Sequence, residues 1–181
     1  DERGWEEAPY WLRGFYDLSV LTENSRLDSV ADKWIEAVIN SQQNDGYYGS
    51  ETNKLIVSEA VSDSMSDLWP HMVMNDVLIS HYEVTKDERV IPMLTGFFRY
   101  CADLPEELFL SRFSWNFEKN SQYLDKHFSS KQRVQLARAG DFIPQIYWLY
   151  ARTKDEWLLD LTLKIYQKIQ PPLSQWLDHH N

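Results

Sequence analysis

Two carboxylates stand where this chain could do acid–base chemistry. Glu7, beside Glu6, precedes one apolar helical pattern, and Asp141 opens another far along the sequence. Cleavage of a glycosidic bond usually takes two carboxyl groups flanking the bond, one as acid and one as base or nucleophile. Glu7 and Asp141 are therefore the candidate catalytic pair, provided the fold brings both to one mouth. Acidic residues at helix starts are also favoured by the helix dipole and by capping. For Asp141 the plain N-cap is the stronger of the two accounts. Arg138, three residues earlier, could hold a sugar hydroxyl or pair with a nearby acid.

His71 follows Pro70 at the start of an apolar helix, where an imidazole could hydrogen-bond hydroxyls or shuttle a proton, or could simply cap or pack the loop. His81 lies mid-helix among Val77, Leu78 and Val84 and reads as a satisfied core histidine. Trp5, Trp69 and Trp115 fall near helix starts, outside the central seams; an indole face there can stack on a sugar while its N–H reaches a hydroxyl. Trp11, Trp34 and Trp148 fall on apolar stripes and read as packing. Asn44-Asp45-Gly46 is a turn signal first. Its position makes Asp45, Tyr47 and Tyr48 candidate lining residues.

Other chemistries are poorly served. The formal charge of −10 leaves no basic stripe for phosphates, so neither nucleic acid nor an anionic membrane surface is expected as a partner. The single cysteine, Cys101, excludes an internal disulfide and a site of several thiolates. No paired metal-ligand motif, phosphate-binding glycine loop or nucleophile elbow occurs, so no cofactor and no metal is expected. A lone cysteine suits the cytosol without forbidding export, so a secreted or periplasmic location stays open. The start at Asp1 reads as a trimmed or excised piece.

The positioning elements announce themselves by repetition. Thr22, Thr85 and Thr153 each sit in a polar turn flanked by apolar helical patterns, and the turns are 63 and 68 residues apart. That spacing predicts three helical hairpins. The first pairs about Pro9–Leu21, with a stripe of Trp11, Phe15, Leu18 and Leu21, against Leu27–Gln42, whose buried face is Leu27, Val30, Ala31, Trp34 and Val38. The second begins at an N-cap Asp67 with Pro70 in its first turn, carries Met74, Val77, Leu78, His81 and Val84, and returns along Val90, Leu94, Phe97, Phe98 and Cys101. The third has Pro144 in its first turn and a stripe of Ile143, Ile146, Tyr147 and Tyr150, then a helix from about Glu156 to Ile169 ended by Pro171-Pro172. Connections within hairpins are short and those between them are long, so the hairpins stack with the long loops at one end. The opening helices carry little charge and should form an inner ring, the return helices an outer one. The fold class is all-α, an α/α toroid, with the site at the N-terminal ends of the inner helices.

The segments Gly4-Trp5-Glu6-Glu7-Ala8-Pro9-Tyr10-Trp11-Leu12, Gln42-Gln43-Asn44-Asp45-Gly46-Tyr47-Tyr48, Trp69-Pro70-His71-Met72-Val73-Met74, His81-Tyr82-Glu83-Val84-Thr85, Arg138-Ala139-Gly140-Asp141 and Tyr147-Trp148-Leu149-Tyr150, in that order, resemble the β-L-arabinofuranosidase-like enzymes of glycoside hydrolase family 127. The resemblance implies a six-hairpin (α/α)6 barrel acting on a poly- or oligosaccharide. It also implies that His71 matches a histidine of the sugar-binding pocket. Family members place a cysteine nucleophile and a zinc site of cysteines and a glutamate in the later half of the barrel, which Cys101 on its apolar stripe does not match. Residues 116–136 look like an insertion relative to shorter relatives. Residues 1–181 are accordingly expected to be a single domain or fragment, the N-terminal half of the barrel, associating through the rest of it, or else a relative without thiolate chemistry. On this reading Glu7 and Asp141 are catalytic, and Trp69, His71, Arg138, Asp45 and Tyr47 bind substrate. The competing reading is a non-catalytic helical-hairpin scaffold that binds a protein partner in its groove.

Overall fold

The computed structural model of the chain describes residues 7–54, 67–105, 108–110, 135 and 137–169. Among these, all regular structure is helical: α1 (Glu7–Thr22), α2 (Ser25–Asn40), the single turn α3 (Glu51–Lys54), α4 (Trp69–Thr85), α5 (Val90–Asp103), a 3-10 turn (Ala139–Asp141), α6 (Phe142–Thr153) and α7 (Trp157–Ile169). None of them is long and apolar enough to cross a membrane.

The three polar turns use the same backbone device. Glu23, Lys86 and Lys154 take the left-handed conformation, with φ of 50°, 59° and 62°, which ends a helix by turning the next N–H back onto a free carbonyl. Lys86 N–H donates to Tyr82 O and Lys154 N–H to Tyr150 O. In the second and third turns the threonine hydroxyl then accepts from the N–H two residues on, Asp87 at 3.2 Å and Asp155 at 3.3 Å. In the first, Asn24 caps α2 instead, its side chain accepting from Arg26 and Leu27 N–H. The repeat seen in the sequence is thus a repeat of turn chemistry.

The opening helices α1, α4 and α6 stand side by side, with α4 in the middle; nine of its 17 residues are buried. The return helices join around the outside. Arg89, in the turn before α5, pairs with Glu36 of α2, and the Arg99 guanidinium of α5 lies 3.6 Å from the Trp157 ring centre on α7. The core runs through Leu78, Leu94, Phe97, Phe98, Phe142, Ile146 and Leu161. Val90, Leu94, Phe97, Phe98 and Cys101 are all buried, as their spacing requires. Phe109 and Leu110 are buried too, so the second connection is packed where it is described. Leu55, Ile56, Val57, Phe113, Trp115, Phe117, Tyr123, Phe128, Pro171 and Pro172 lie outside the described residues.

Several faces are corrected. Trp11 is 46% exposed and Trp34 42%, and Leu18, Leu21 and Val30 are exposed as well. α1 is apolar on two adjacent faces; the one carrying Leu12, Tyr16 and Ser19 is buried, while Trp11 stacks on Phe15 and tilts against Trp34 at the surface. On α2 the buried residues are Ala31 and Ile35. On α6 they are Phe142, Gln145, Ile146 and Leu149, with Tyr147 exposed. The cap residue of α4 is Leu68, without a side-chain cap; Asp67 is buried one residue upstream.

The first inter-hairpin loop is fastened to α5 backbone against backbone. Gly46 has φ +92°, and a Cβ there would stand 2.1 Å from the Gly96 carbonyl oxygen. Gln42 Nε2 seals the contact, donating to Gly46 O at 2.9 Å and Met93 O at 2.8 Å. Gly46→Ala must both strain φ and push the loop off α5. It should cost about 3 kcal/mol or more in a urea-unfolding measurement, a magnitude typical of disrupted close approaches.

Candidate functional site

At the N-terminal ends of the inner helices, side chains from three hairpins meet. Trp69, the first residue of α4, is 3% exposed. Tyr10 of α1 packs on its ring at 5.9 Å between centres, and the Arg138 guanidinium lies 5.4 Å from the ring centre. Arg138 also pairs with Asp141 at 2.8 Å. The 3-10 turn explains that pair, since side chains three residues apart eclipse there. It also corrects the N-cap reading: Asp141 precedes α6, but with φ −65° and ψ −23° its backbone is already helical and its side chain makes no cap bond. A capping side chain needs extended backbone at that position.

Trp69 therefore forms a floor. Its ring is covered, and Tyr10 (43% exposed), Arg138 and Asp141 (side chains 49% and 39% exposed) face solvent above it. A phenol, a guanidinium and a carboxylate over an aromatic base can donate to and accept from sugar hydroxyls. Glu7 is exposed on the first turn of α1; the α1 residue that touches the floor is Tyr10. Trp5 and Trp115 lie outside the described residues.

His71 lies beneath this surface, 4% exposed. Its ring stacks on Phe97 at 4.6 Å and meets the edges of Tyr47 and Tyr48. Nε2 is 2.7 Å from the Tyr48 carbonyl oxygen. A carbonyl only accepts, so Nε2 carries the proton and donates it; Nδ1 is buried and makes no hydrogen bond among the described residues. Burial lowers the pKa to about 4, outweighing the backbone hydrogen bonds that raise it. Tyr47 is fully buried, its hydroxyl donating to Ser50 O. Asp45 accepts from Tyr47 N–H and pairs with Lys54 at 2.6 Å, fastening the loop to α3. These three residues fasten the first inter-hairpin loop to α3, α4 and α5. His81 is a satisfied core histidine at the far end of α4, between the Tyr16 hydroxyl at 3.2 Å and Asp87 at 3.4 Å.

The sequence reading missed a polar chain through the inner helices. Tyr48 OH donates to Asn75 Oδ1 at 2.6 Å, and Asn75 Nδ2 to Gln145 Oε1 at 3.0 Å. Gln145 Nε2 donates to Met72 O at 2.6 Å and to Asp76 Oδ1 at 2.8 Å. Arg13 of α1 stands 3.4 Å from Asp76 Oδ2. The signal was present: Asn75-Asp76 and Gln145 are the polar interruptions of otherwise apolar inner helices.

Cys101 is 1% exposed on α5, and burial pushes its thiol pKa up. Among the described residues no three His, Cys, Asp or Glu side chains gather as a metal site would require. Cys101 thus stands apart from any such cluster among the described residues. In comparisons with known proteins, the family described as beta-L-arabinofuranosidase, GH127 catalytic domain, matches residues 6–179. No curated protein and no solved structure matches the chain.

The buried imidazole predicts a pH dependence of stability. His71 has a folded pKa of about 4 against 6.5 when unfolded. Between these values the unfolded chain binds the extra proton, so stability falls as pH drops through that window and is unaffected above it. The loss approaches about 3 kcal/mol at the acid end. Urea midpoints measured from pH 7.5 to 4 should show it, and His71→Phe should remove most of the slope.

Proposed function

The chain belongs to the glycoside hydrolase family 127 catalytic-domain family, and on that premise we propose that it binds a neutral or uronic oligosaccharide at the mouth formed by Tyr10, Trp69, Arg138 and Asp141 and takes part in hydrolysing its glycosidic bond. Family membership implies a carbohydrate substrate. One observation supports the location: three separate hairpins meet at Trp69, where the Tyr10 ring packs on the indole, the Arg138 guanidinium lies near it and Asp141 pairs with Arg138. Of the acid–base candidates, Asp141 stands in that group, and Glu7 lies on the first turn of α1. His71, Tyr47 and Asp45 serve the sugar by fixing the loop under it.

The uncovered apolar side of α1 and α2, with Trp11, Leu18, Leu21 and Trp34, supports reading these three hairpins as the first half of a six-hairpin ring that a further hairpin covers. The same surface is what favours the second reading, a scaffold whose partner is a protein.

The test uses the natural full-length protein with 4-nitrophenyl β-L-arabinofuranoside and with arabinan, following released reducing sugar. Arg138→Ala and Tyr10→Ala should each lower kcat/KM about 10-fold, the effect of one lost polar or stacking contact of roughly 1.4 kcal/mol. Both side chains are well exposed, so thermal midpoints should barely move. Absence of turnover and of saturable sugar binding would favour the scaffold; wild-type kinetics in both variants would move the site elsewhere.

A further inference from the structure

A carboxylate of the inner face remains without an assigned task. Asp76 lies on the side of α4 that both neighbouring inner helices reach, Gln145 coming from α6 and Arg13 from α1. Its side chain is 35% exposed, although the residues on either side of it in sequence, Asn75 and Val77, are buried. One oxygen is held firmly and the other loosely. Oδ1 accepts from Gln145 Nε2 at 2.8 Å, while Oδ2 has a 3.4 Å approach from an Arg13 guanidinium that is itself half exposed.

The holding group has no freedom to do otherwise. Gln145 is 2% exposed; its oxygen accepts from Asn75, and its nitrogen serves Met72 O as well as Asp76. Asn75 is fixed in turn by the Tyr48 hydroxyl. A buried amide with its donors and acceptor satisfied aims its N–H rigidly. Stability is a poor reason to keep a carboxylate there. Asp76 does satisfy the second Gln145 N–H, but an amide oxygen at this position would do the same, and the partly exposed ion pair with Arg13 adds at most about 1 kcal/mol. A fixed, partly exposed carboxylate whose second oxygen is only loosely engaged by Arg13 can still accept from hydroxyl donors. Asp76 is two helical turns, about 10 Å, along α4 from Trp69, within the span of an oligosaccharide.

We propose that Asp76 is a second sugar-contacting carboxylate, a specificity-determining residue that accepts hydroxyls of the unit deeper along the inner face, with Gln145 as its positioning residue. This rests on the reading of the mouth as a sugar site.

The experiment measures KM and kcat of the natural full-length protein on 4-nitrophenyl β-L-arabinofuranoside and on arabino-oligosaccharides, for wild type, Asp76→Ala, Asp76→Asn and Gln145→Glu. Asp76→Ala should raise KM about 10- to 100-fold, as loss of a charged hydrogen bond does, with kcat within about 3-fold. Asp76→Asn, which keeps the shape and an acceptor for Gln145, should give a smaller rise and decides the case if the alanine variant does not fold. Gln145→Glu turns the donor into a like charge. It should raise KM at pH 7 and recover toward wild type near pH 5, where one proton can be shared; a purely structural role would show no such recovery. If wild type acts on these sugars and both Asp76 variants keep its KM, the inference is wrong and the mouth stands. If wild type neither binds nor cleaves them, the mouth reading fails and this falls with it.

Discussion

The register of α6 on α4 rests on one buried amide pair. Asn75 is fully buried and Gln145 nearly so, within a seam otherwise made of Leu78, Phe142, Ile146 and their neighbours. Apolar contacts between two helices tolerate sliding, because ridges repeat every turn. Amide hydrogen bonds do not. Sliding α6 by one turn, about 5.4 Å, would leave the Asn75 nitrogen and both Gln145 groups unpaired in a dry interior, each at roughly 1–3 kcal/mol. Only one axial setting avoids that cost, and in it the 3-10 turn ahead of α6 arrives beside the first residue of α4. The Arg138–Trp69 contact at the mouth thus follows from hydrogen bonds two turns below it.

The two ends of the hairpins are built differently. At the turn end, charges brace the helices across the surface: Trp148 Nε1 donates to Glu83 at 2.8 Å, Arg152 pairs with the same carboxylate and lies over the Trp148 ring, and Arg89 bridges Asp87 and Glu36. Hydrogen bonding to Arg89 outweighs burial and holds the Asp87 carboxyl below its usual range. There the polar groups are matched to one another. At the mouth, Tyr10, Arg138 and Asp141 keep exposed polar atoms above a covered indole. The turn end thus braces the helices to one another with several ion pairs, while the mouth holds one, Arg138–Asp141, beside a buried tryptophan.

Turn chemistry is local, and so the hairpins were legible from three short segments. Helix type and the buried stripe of α5 were legible too, since Val90, Leu94, Phe97, Phe98 and Cys101 repeat with the helical period. The choice between two apolar faces of α1 was not. Trp11 and Leu12 are equally apolar, and which of them is covered depends on where α4 lies, 60 residues away in sequence, which no periodicity within α1 records. Asp141 misled for a similar reason. An acid ahead of a helix is a cap in most settings, and only the 3-10 turn, with Arg138 one turn back, converts it into an ion-paired group at the surface. Membership of the family was legible too, from short segments spread in order along the chain, and the family match covers residues 6–179.

The polar interruptions of the inner helices carry the remaining lesson. Placing Asn75, Asp76 and Gln145 in helices destined for the interior would be destabilising if each stood alone. Together the two amides satisfy one another, and what is left over is a single carboxylate oxygen that the protein neither buries nor pairs closely. His71 shows the opposite economy: its ring is used on three aromatic neighbours and one carbonyl, and only a buried Nδ1 remains. A residue's type therefore says less about its availability than the count of partners the fold has already supplied. By that count the histidine, the group most suggestive in the sequence, is the one most thoroughly committed to holding the loop in place, while Asp76 keeps one loose contact, to Arg13.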